Sequence, residues 1–403
     1  MRLRNNLLAF AILLAFLGLG ILYVRFWVVQ RPFGIIIFVS DGMVARHLTA
    51  ARLFAGGAEH RLEIERLLPN SAIVRNDAVQ FSVPDAASMA SALATGRKAK
   101  HHTVGMDERG GSVASILELA RKEGRAVGLV TNGSLTGASP AAFYAHTANA
   151  EDGQALAPAL LAAPKFQVLL GGGSEDFLPA TTGGHRKDGK DLLAGLKAPG
   201  WEVIRSRAEL EGASPYREGT LLGLFAARSL DFKKERELAL VEPSLSDLVR
   251  RAVECLETNR HGYVLVVDEA LVSQACVLNE GEHLMRETLE LDHAVGTAVK
   301  YAGEKSLIVA VGRTSIGGFA LSGFPLRQDK SLALLGPTPD GNPYITWASG
   351  PKVGKANEPA AREATGGVNT AEDVLALGTG LGAERLKGYL DNTDIFQILR
   401  DAL

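Results

Sequence analysis

Apolar and polar positions divide the chain into one long apolar stretch near the N-terminus, then short apolar runs alternating with helix-period segments. Leu7 to Val24 carries no charge and is almost wholly apolar. Its roughly 18 residues, at about 1.5 Å each, make a helix of about 27 Å, enough to cross a bilayer core. Arg2 and Arg4 precede it, Arg25 and Arg31 follow it, and Phe26 and Trp27 extend it into the interfacial region that aromatic rings favour. This predicts a basic tail over residues 1–6 and a transmembrane signal-anchor helix over 7–29. A cleaved signal peptide is the rival reading. It calls for small residues after the apolar run, where Tyr23, Val24, Arg25, Phe26 and Trp27 stand instead. A buried core helix is the third reading. One helix behind a short tail predicts the N-terminus inside and the large domain on the periplasmic or extracellular side.

Beyond residue 33 the pattern changes. Gly34–Val39, Ala126–Val130, Phe166–Leu170, Gly262–Val267 and Ser306–Val311 are short, largely apolar runs, the first of them mostly β-branched. Such runs predict strands buried on both faces. Ile116–Glu123, Asp247–Thr258 and Thr288–Ala302 have helical periodicity between them. Strand and helix in alternation predict a parallel sheet covered by helices on both faces, with its site beyond the carboxyl ends of the strands. The residues there are Asp41, Asn132 to Ser139, Asp268 and Gly312 to Ser315. Asp41 and Asp268 each end a buried strand. Two such carboxylates suit a metal or acid/base site, and each also suits the N-cap of a following helix.

Composition narrows the function classes. The 403 residues are 22% charged and 46% hydrophobic with a formal charge of −2, which is globular and offers no basic surface for nucleic acid. Two cysteines exclude a disulfide scaffold and a zinc ribbon. Cys255 and Cys276 either pair or remain buried thiols.

Motifs then fall into a family order. Phe38-Val-Ser-Asp41-Gly-Met43 resembles a strand end of the alkaline phosphatase family. Val83-Pro-Asp85-Ala86-Ala87, with Ala92-Leu-Ala-Thr95-Gly96, resembles its nucleophile helix. Ala138-Ser139-Pro140 through His146 is similar to its PAAFYAH segment, and Leu170-Gly-Gly-Gly173 through Pro179 to its glycine turn. Glu242 to Asp247, Val266-Val-Asp268, Gly317-Gly318 and Asp391 to Phe396 continue the order to the C-terminus. The resemblance implies one three-layer α/β/α sandwich with a mostly parallel sheet over residues 33–403. It also implies two zinc ions, one magnesium ion, a serine nucleophile forming a phosphoseryl intermediate, and an arginine clamping the phosphate. Two metals would clamp the attacking and leaving oxygens and activate the serine.

Carried over residue by residue, the resemblance puts Ala86 at the nucleophile position, and a methyl group cannot attack phosphorus. Ser88 lies two residues on and faces elsewhere, which predicts a small residue packed under the sheet. The phosphate-arginine position is Ala150. One zinc site maps to Ser273, Val277 and Asn369, and the second to Asp41, Arg313 and Thr314. Ser273, Val277 and Asn369 are not adequate zinc donors, valine being none at all, and in the second site Arg313 and Thr314 stand where the family has an Asp-His pair beside Asp41. The magnesium ligands map to Asp41, Ser139 and Asp268, whose oxygens suit that ion. A competing arrangement places the Arg313 guanidinium between Asp41 and Asp268 in place of a metal. Of the nine histidines, His101, His102, His146, His283 and His293 stand off the family's zinc positions and read as surface or structural residues.

The expectation is a membrane-anchored pseudoenzyme acting as a binding or scaffold subunit. Zinc and nucleic acid are not expected, and at most one magnesium is. A protein partner or small anion would be bound, and a homodimer is compatible. The alternative is a phosphomonoesterase with a rearranged site, with metal on Asp41, Asp268 and Ser139 and direct attack by water. A third reading gives an anion to Arg313, provided that Arg313 is not paired with both carboxylates.

Overall fold

The computed structural model describes residues 2–23, 33–163, 165–197, 200–322, 334–351 and 357–403. The chain divides into two units, Met1–Pro32 and Phe33–Leu403. In the first, a helix runs from Arg2 to Tyr23, taking in most of the basic tail. No glycine or proline separates Arg2 from Leu7, and Arg is a good helix former. Its Arg4–Tyr23 portion has mean hydropathy 2.3 and is long and apolar enough to span a membrane, as an anchor or as a signal sequence. Arg25, Phe26, Trp27, Arg31 and the end of the expected 7–29 span lie outside the described residues.

The second unit is built on a ten-stranded sheet. Its strands are β1 (Gly34–Ser40), β2 (Asn70–Arg75), β3 (Ala126–Ser134), β4 (Val168–Gly172), β5 (Trp201–Ile204), β6 (Thr220–Leu224), β7 (Tyr263–Glu269), β8 (Leu307–Gly312), β9 (Val374–Thr379) and β10 (Lys387–Asp391). Their order is β10-β2-β9-β8-β1-β7-β3-β4-β6-β5. Only β9 runs antiparallel to its neighbours β2 and β8. Every residue of β1, β7 and β8 is buried, as strands covered on both faces require.

The period-2 alternation of β1 separates the two cores. Ile35, Ile37 and Val39 join Met89, Leu93, Ile116, Leu156 and Ile395 on one face. Ile36 and Phe38 join Ile64, Leu248, Val253, Leu291 and Val295 on the other. Each fully buried aliphatic side chain contributes about 1.5–3 kcal/mol. The result is the expected three-layer α/β/α sandwich. A third cluster, including Phe54, Val272, Cys276, Phe319 and Trp347, lies with a small three-stranded sheet of Ala320–Leu321, Ile345–Gly350 and Ala360–Glu363.

Two helix boundaries differ from the sequence expectation. The expected Asp247–Thr258 helix is Leu245–Leu256, because Ser244 caps it and Asp247 closes the capping box. The expected Thr288–Ala302 helix begins at Gly281. Glu358 accepts the Gly281 amide with both carboxylate oxygens, at 3.1 and 2.9 Å, and this remote cap supports the polar first turns. Cys255 and Cys276 are free buried thiols in different cores.

Candidate functional site

Topology brings the candidate residues together. Strands β8, β1, β7 and β3 are consecutive neighbours, so the residues at their carboxyl ends share one edge. Asp41 follows β1, Asp268 lies near the end of β7, Arg313 follows β8 and Thr131 sits in β3 opposite Asp268. Backbone bonds fix the turns. The Arg313 amide donates to the Ser40 carbonyl at 2.9 Å, and the Gly42 amide to the Thr314 carbonyl at 2.9 Å. Gly42 has φ of +87°, and a Cβ there would stand 2.2 Å from His47 Nδ1, so the turn requires glycine.

Arg313 lies between the two carboxylates. Its Nε and Nη2 donate to Asp41 Oδ1 and Oδ2 at 2.8 and 2.6 Å, a bidentate fork. Its Nη1 donates to Asp268 Oδ1 at 3.2 Å. Thr314 adds its amide at 3.0 Å and its hydroxyl at 2.5 Å to Asp41 Oδ1. Thr131 Oγ1 donates to Asp268 Oδ2 at 2.8 Å. Arg313 is only 4% exposed, and the two carboxylates are equally enclosed. Burial alone would raise Asp41, but the Arg313 charge and hydrogen bonds, with those of Thr314 and Ser273, hold it below the usual range. For Asp268 burial wins, and its carboxyl is raised despite Arg313. The Arg313 guanidinium, itself desolvated, is held charged by Asp41 and Asp268. Ser139 stands beside Asp268, near enough to ease its charge, yet its buried hydroxyl has no well-formed hydrogen bond.

Neither aspartate caps a helix, which corrects the capping expectation. The N-cap of the Ala45–Gly56 helix is Val44, without a side-chain bond. Glu269, a residue the sequence reading passed over, accepts the Leu271 and Val272 amides at 2.9 and 3.0 Å. Asn132 and Ser40 also donate to it. Burial still pushes Glu269 up to about 7. Its signal was the second acid in Asp268-Glu269, since consecutive strand residues point to opposite faces.

The remaining family positions have structural partners. Ala86 opens the Ala86–Thr95 helix, whose N-cap is Asp85. Ser88 is buried, as a small packed residue would be, and is also the reciprocal partner of Asp85 in a capping box, which the spacing Asp-x-x-Ser signals. Ser273 serves Asp41, and Val277 is 40% exposed. Asn369 donates to the Pro84 carbonyl at 2.8 Å, and the buried Ala150 gives its amide to His102. His101 bonds the Val83 carbonyl and stacks on Phe81, and His102 pairs with Glu151. His146 bonds Gly105 and Glu118, His283 stacks on Phe232, and His293 is exposed. Among the described residues no three His, Cys, Asp or Glu side chains are grouped as metal ligands. Asp41 has both oxygens engaged by the Arg313 fork.

A cavity of about 460 Å³ opens nearby, its lining including Thr136, Ala150, Glu151, Asp152, Asp176 and His185. His185 Nε2 lies 2.9 Å from Asp176, which also accepts from Thr136. The cavity wall is therefore acidic where the family resemblance calls for an arginine.

His47, next to this turn, is a further buried group that the sequence reading did not single out. Its ring is fully enclosed against the Gly42 turn with no well-formed hydrogen bond at either nitrogen, and it packs edge-on against Phe319. Burial depresses it to about 3. The folded form therefore stays neutral while the unfolded chain protonates, so stability falls as pH drops from about 6.5 toward about 3. His47→Leu removes these poorly bonded nitrogens. It is expected to add about 1–3 kcal/mol at neutral pH and to flatten the acid limb in urea titrations. An unchanged acid limb would show that another group controls it.

A mostly parallel sheet between two helical layers is also the fold of solved alkaline phosphatases. The solved alkaline phosphatase of Thermus thermophilus matches it with a TM-score of 0.78 at 24% identity, covering 93% of this chain and 92% of that one. The enzyme of the Antarctic bacterium TAB5 matches with a TM-score of 0.73 at 21% identity, covering 92% and 98%. In sequence, the chain matches the family described as alkaline phosphatase over residues 34–336. It is 30% identical over 367 residues to the tissue-nonspecific alkaline phosphatase of Gallus gallus, covering 79% of this chain and 70% of that one. The chain belongs to the alkaline phosphatase family.

Proposed function

We propose that this family member carries no phosphoryl-transfer chemistry and acts as a membrane-anchored binding or scaffold subunit. The observation that supports this most is the Arg313 guanidinium on Asp41 and Asp268, where the resemblance calls for metal ions. Ala86 offers no nucleophile, and the Thr314 hydroxyl is already spent on Asp41. The small-anion reading required an Arg313 not paired with both carboxylates, and it is paired with both. The acidic cavity beside it also disfavours a phosphate dianion. A protein partner is therefore the better reading. The 7–29 segment would serve as an uncleaved anchor with the large domain outside.

The test uses the full chain in detergent, purified without chelator, with zinc and magnesium content and p-nitrophenyl phosphate turnover measured on the same sample. Metal below stoichiometry and turnover at background are expected. Ala86→Ser is expected to restore nothing, because a hydroxyl alone lacks the metals that would activate it. Stoichiometric zinc with EDTA-sensitive turnover would refute the proposal.

A further inference from the structure

The amino edge of the large sheet, opposite the Arg313 cage, is where the chain enters the second unit. The Tyr263 amide donates to the Phe33 carbonyl at 3.2 Å, the Ala126 amide to the Gly262 carbonyl at 3.0 Å and the Gly34 amide to Ser306 Oγ at 3.1 Å, so β1, β7, β3 and β8 start together there. Antiparallel β9 ends at the same edge, and the Leu381 amide in its turn donates to the Lys305 carbonyl at 3.4 Å. The turn reads Gly380-Leu381-Gly382. Both glycines have positive φ, and a Cβ on Gly380 would stand 1.8 Å from the Ser306 carbonyl oxygen, which fixes the shape of the turn. It holds Leu381 outward, 59% exposed, at a place where turns ordinarily carry polar residues. Beside it opens a cavity of about 400 Å³, its lining including Phe33, Leu381, Arg385, Ile398 and Ala402. The Arg125 guanidinium lies 5.7 Å from the Phe33 ring centre and donates to the Leu403 carbonyl, which ties the C-terminus to the same edge.

We propose that this amino edge is a membrane-contact face, with Leu381 and the apolar mouth beside it entering the headgroup boundary of the bilayer that carries the anchor. The proposal rests on the reading of the N-terminal segment as an uncleaved anchor. Only residues 24–32 separate Tyr23, the end of the apolar helix, from Phe33. Such a stretch spans at most about 30 Å when fully extended, so an anchored chain keeps Phe33 within that distance of the lipid. A tether this short raises the effective concentration of lipid at the face, and a contact too weak to hold a free protein then suffices. Exposed charges around Leu381 balance, Lys305 and Arg385 against Glu304 and Glu384, and Arg385 is held by Asp401 at 2.9 Å. The face therefore fits a zwitterionic headgroup layer and draws its affinity from apolar burial rather than from anionic lipid. The same orientation lifts the carboxyl edge, with the Arg313 cage, ~23 Å further from the bilayer by the length of β1 and leaves it open to a partner.

The experiment uses the full chain in phosphatidylcholine vesicles, with a polarity-sensitive nitrobenzoxadiazole probe on Leu381→Cys. The reference probe is on Leu238→Cys, an exposed leucine near the carboxyl end of β5, where the Arg207 amide meets the Val241 carbonyl. Cys255 and Cys276 are buried, so the wild type carried through the same labelling gives the background. The Leu381→Cys probe is expected to emit further to the blue and to lose most of its intensity to doxyl-labelled phosphatidylcholine. The reference is expected to emit as in water and to keep its intensity. A probe on Glu384→Cys is expected to shift to the blue as well, and adding Leu381→Asp, a change outside the core, is expected to return it to water-like emission. Flotation of the same vesicles after an alkaline wash reads the anchor separately. A chain that floats while every probe reports water would overturn the contact face and leave the anchor standing. Equal quenching at Leu381→Cys and Leu238→Cys would overturn it too, because no one face would then be preferred. A chain that does not float would overturn the anchor and this face with it.

Discussion

Arg313→Met is expected to cost about 3–5 kcal/mol of stability, measured by urea titration of the full chain in detergent. Methionine fills much of the space but leaves Asp41 and Asp268 buried without a cation. Stripping one partner from a buried ion pair costs far more than the intact pair contributes, because the desolvation cost of the remaining charge goes uncompensated. Adding Asp41→Asn and Asp268→Asn is expected to recover most of the loss. The three sites share one hydrogen-bonded cluster, so their effects are not additive. A triple variant no more stable than Arg313→Met alone would show that lost packing, and not charge, accounts for the cost.

Glu287→Gln is expected to raise stability at pH 8 by about 2–4 kcal/mol while leaving it nearly unchanged near pH 4.5. Glu287 lies on the Gly281–Ala302 helix and is 0% exposed. One oxygen accepts the Lys233 amide, and the other has no partner. Burial, reinforced by the charge of Glu269, pushes it up to about 8, with Arg236 pulling the other way and Glu290 adding to the rise. Because the folded value is raised, the stabilising contribution is complete below about 4.5 and is lost as pH climbs through about 8. Each pKa step is worth about 1.4 kcal/mol, which caps the effect at about 5 kcal/mol. Glu269 and Glu358, both raised to about 7, slope the same way, so the variant's profile should be flatter but not flat. Midpoint against pH curves that run parallel for wild type and variant would contradict this.

Much of the fold was legible because buried parallel strands announce themselves. Gly34–Val39 has no polar residue and Asp41 stands two residues beyond it, so both the strand and its site end could be placed. The Arg313 bridge could be anticipated because an arginine at the end of β8 stood where the motif order called for a ligand, and two acidic strand ends lacked a cation. What sequence did not show depended on remote partners. Glu358 caps the helix starting at Gly281, 77 positions earlier, so periodicity alone began that helix too late. Glu269 was hidden behind Asp268, although neighbouring strand residues serve opposite faces. His47 drew no reading, because nothing local reveals that its ring is buried against Phe319.

The Asp41–Arg313 pair joins residues 272 positions apart. A ribosome must finish β8 before the carboxylate at the end of β1 can meet its counter-charge. Until then the emerging chain carries Asp41 and Asp268 without the cation that lets them be buried, and closing that contact is a long-range event that slows folding. The cage therefore orders assembly as well as stabilising the product. The centre of the sheet can be sealed only after β8 docks beside β1, and a chain broken off before residue 313 retains two strand ends that resist desolvation.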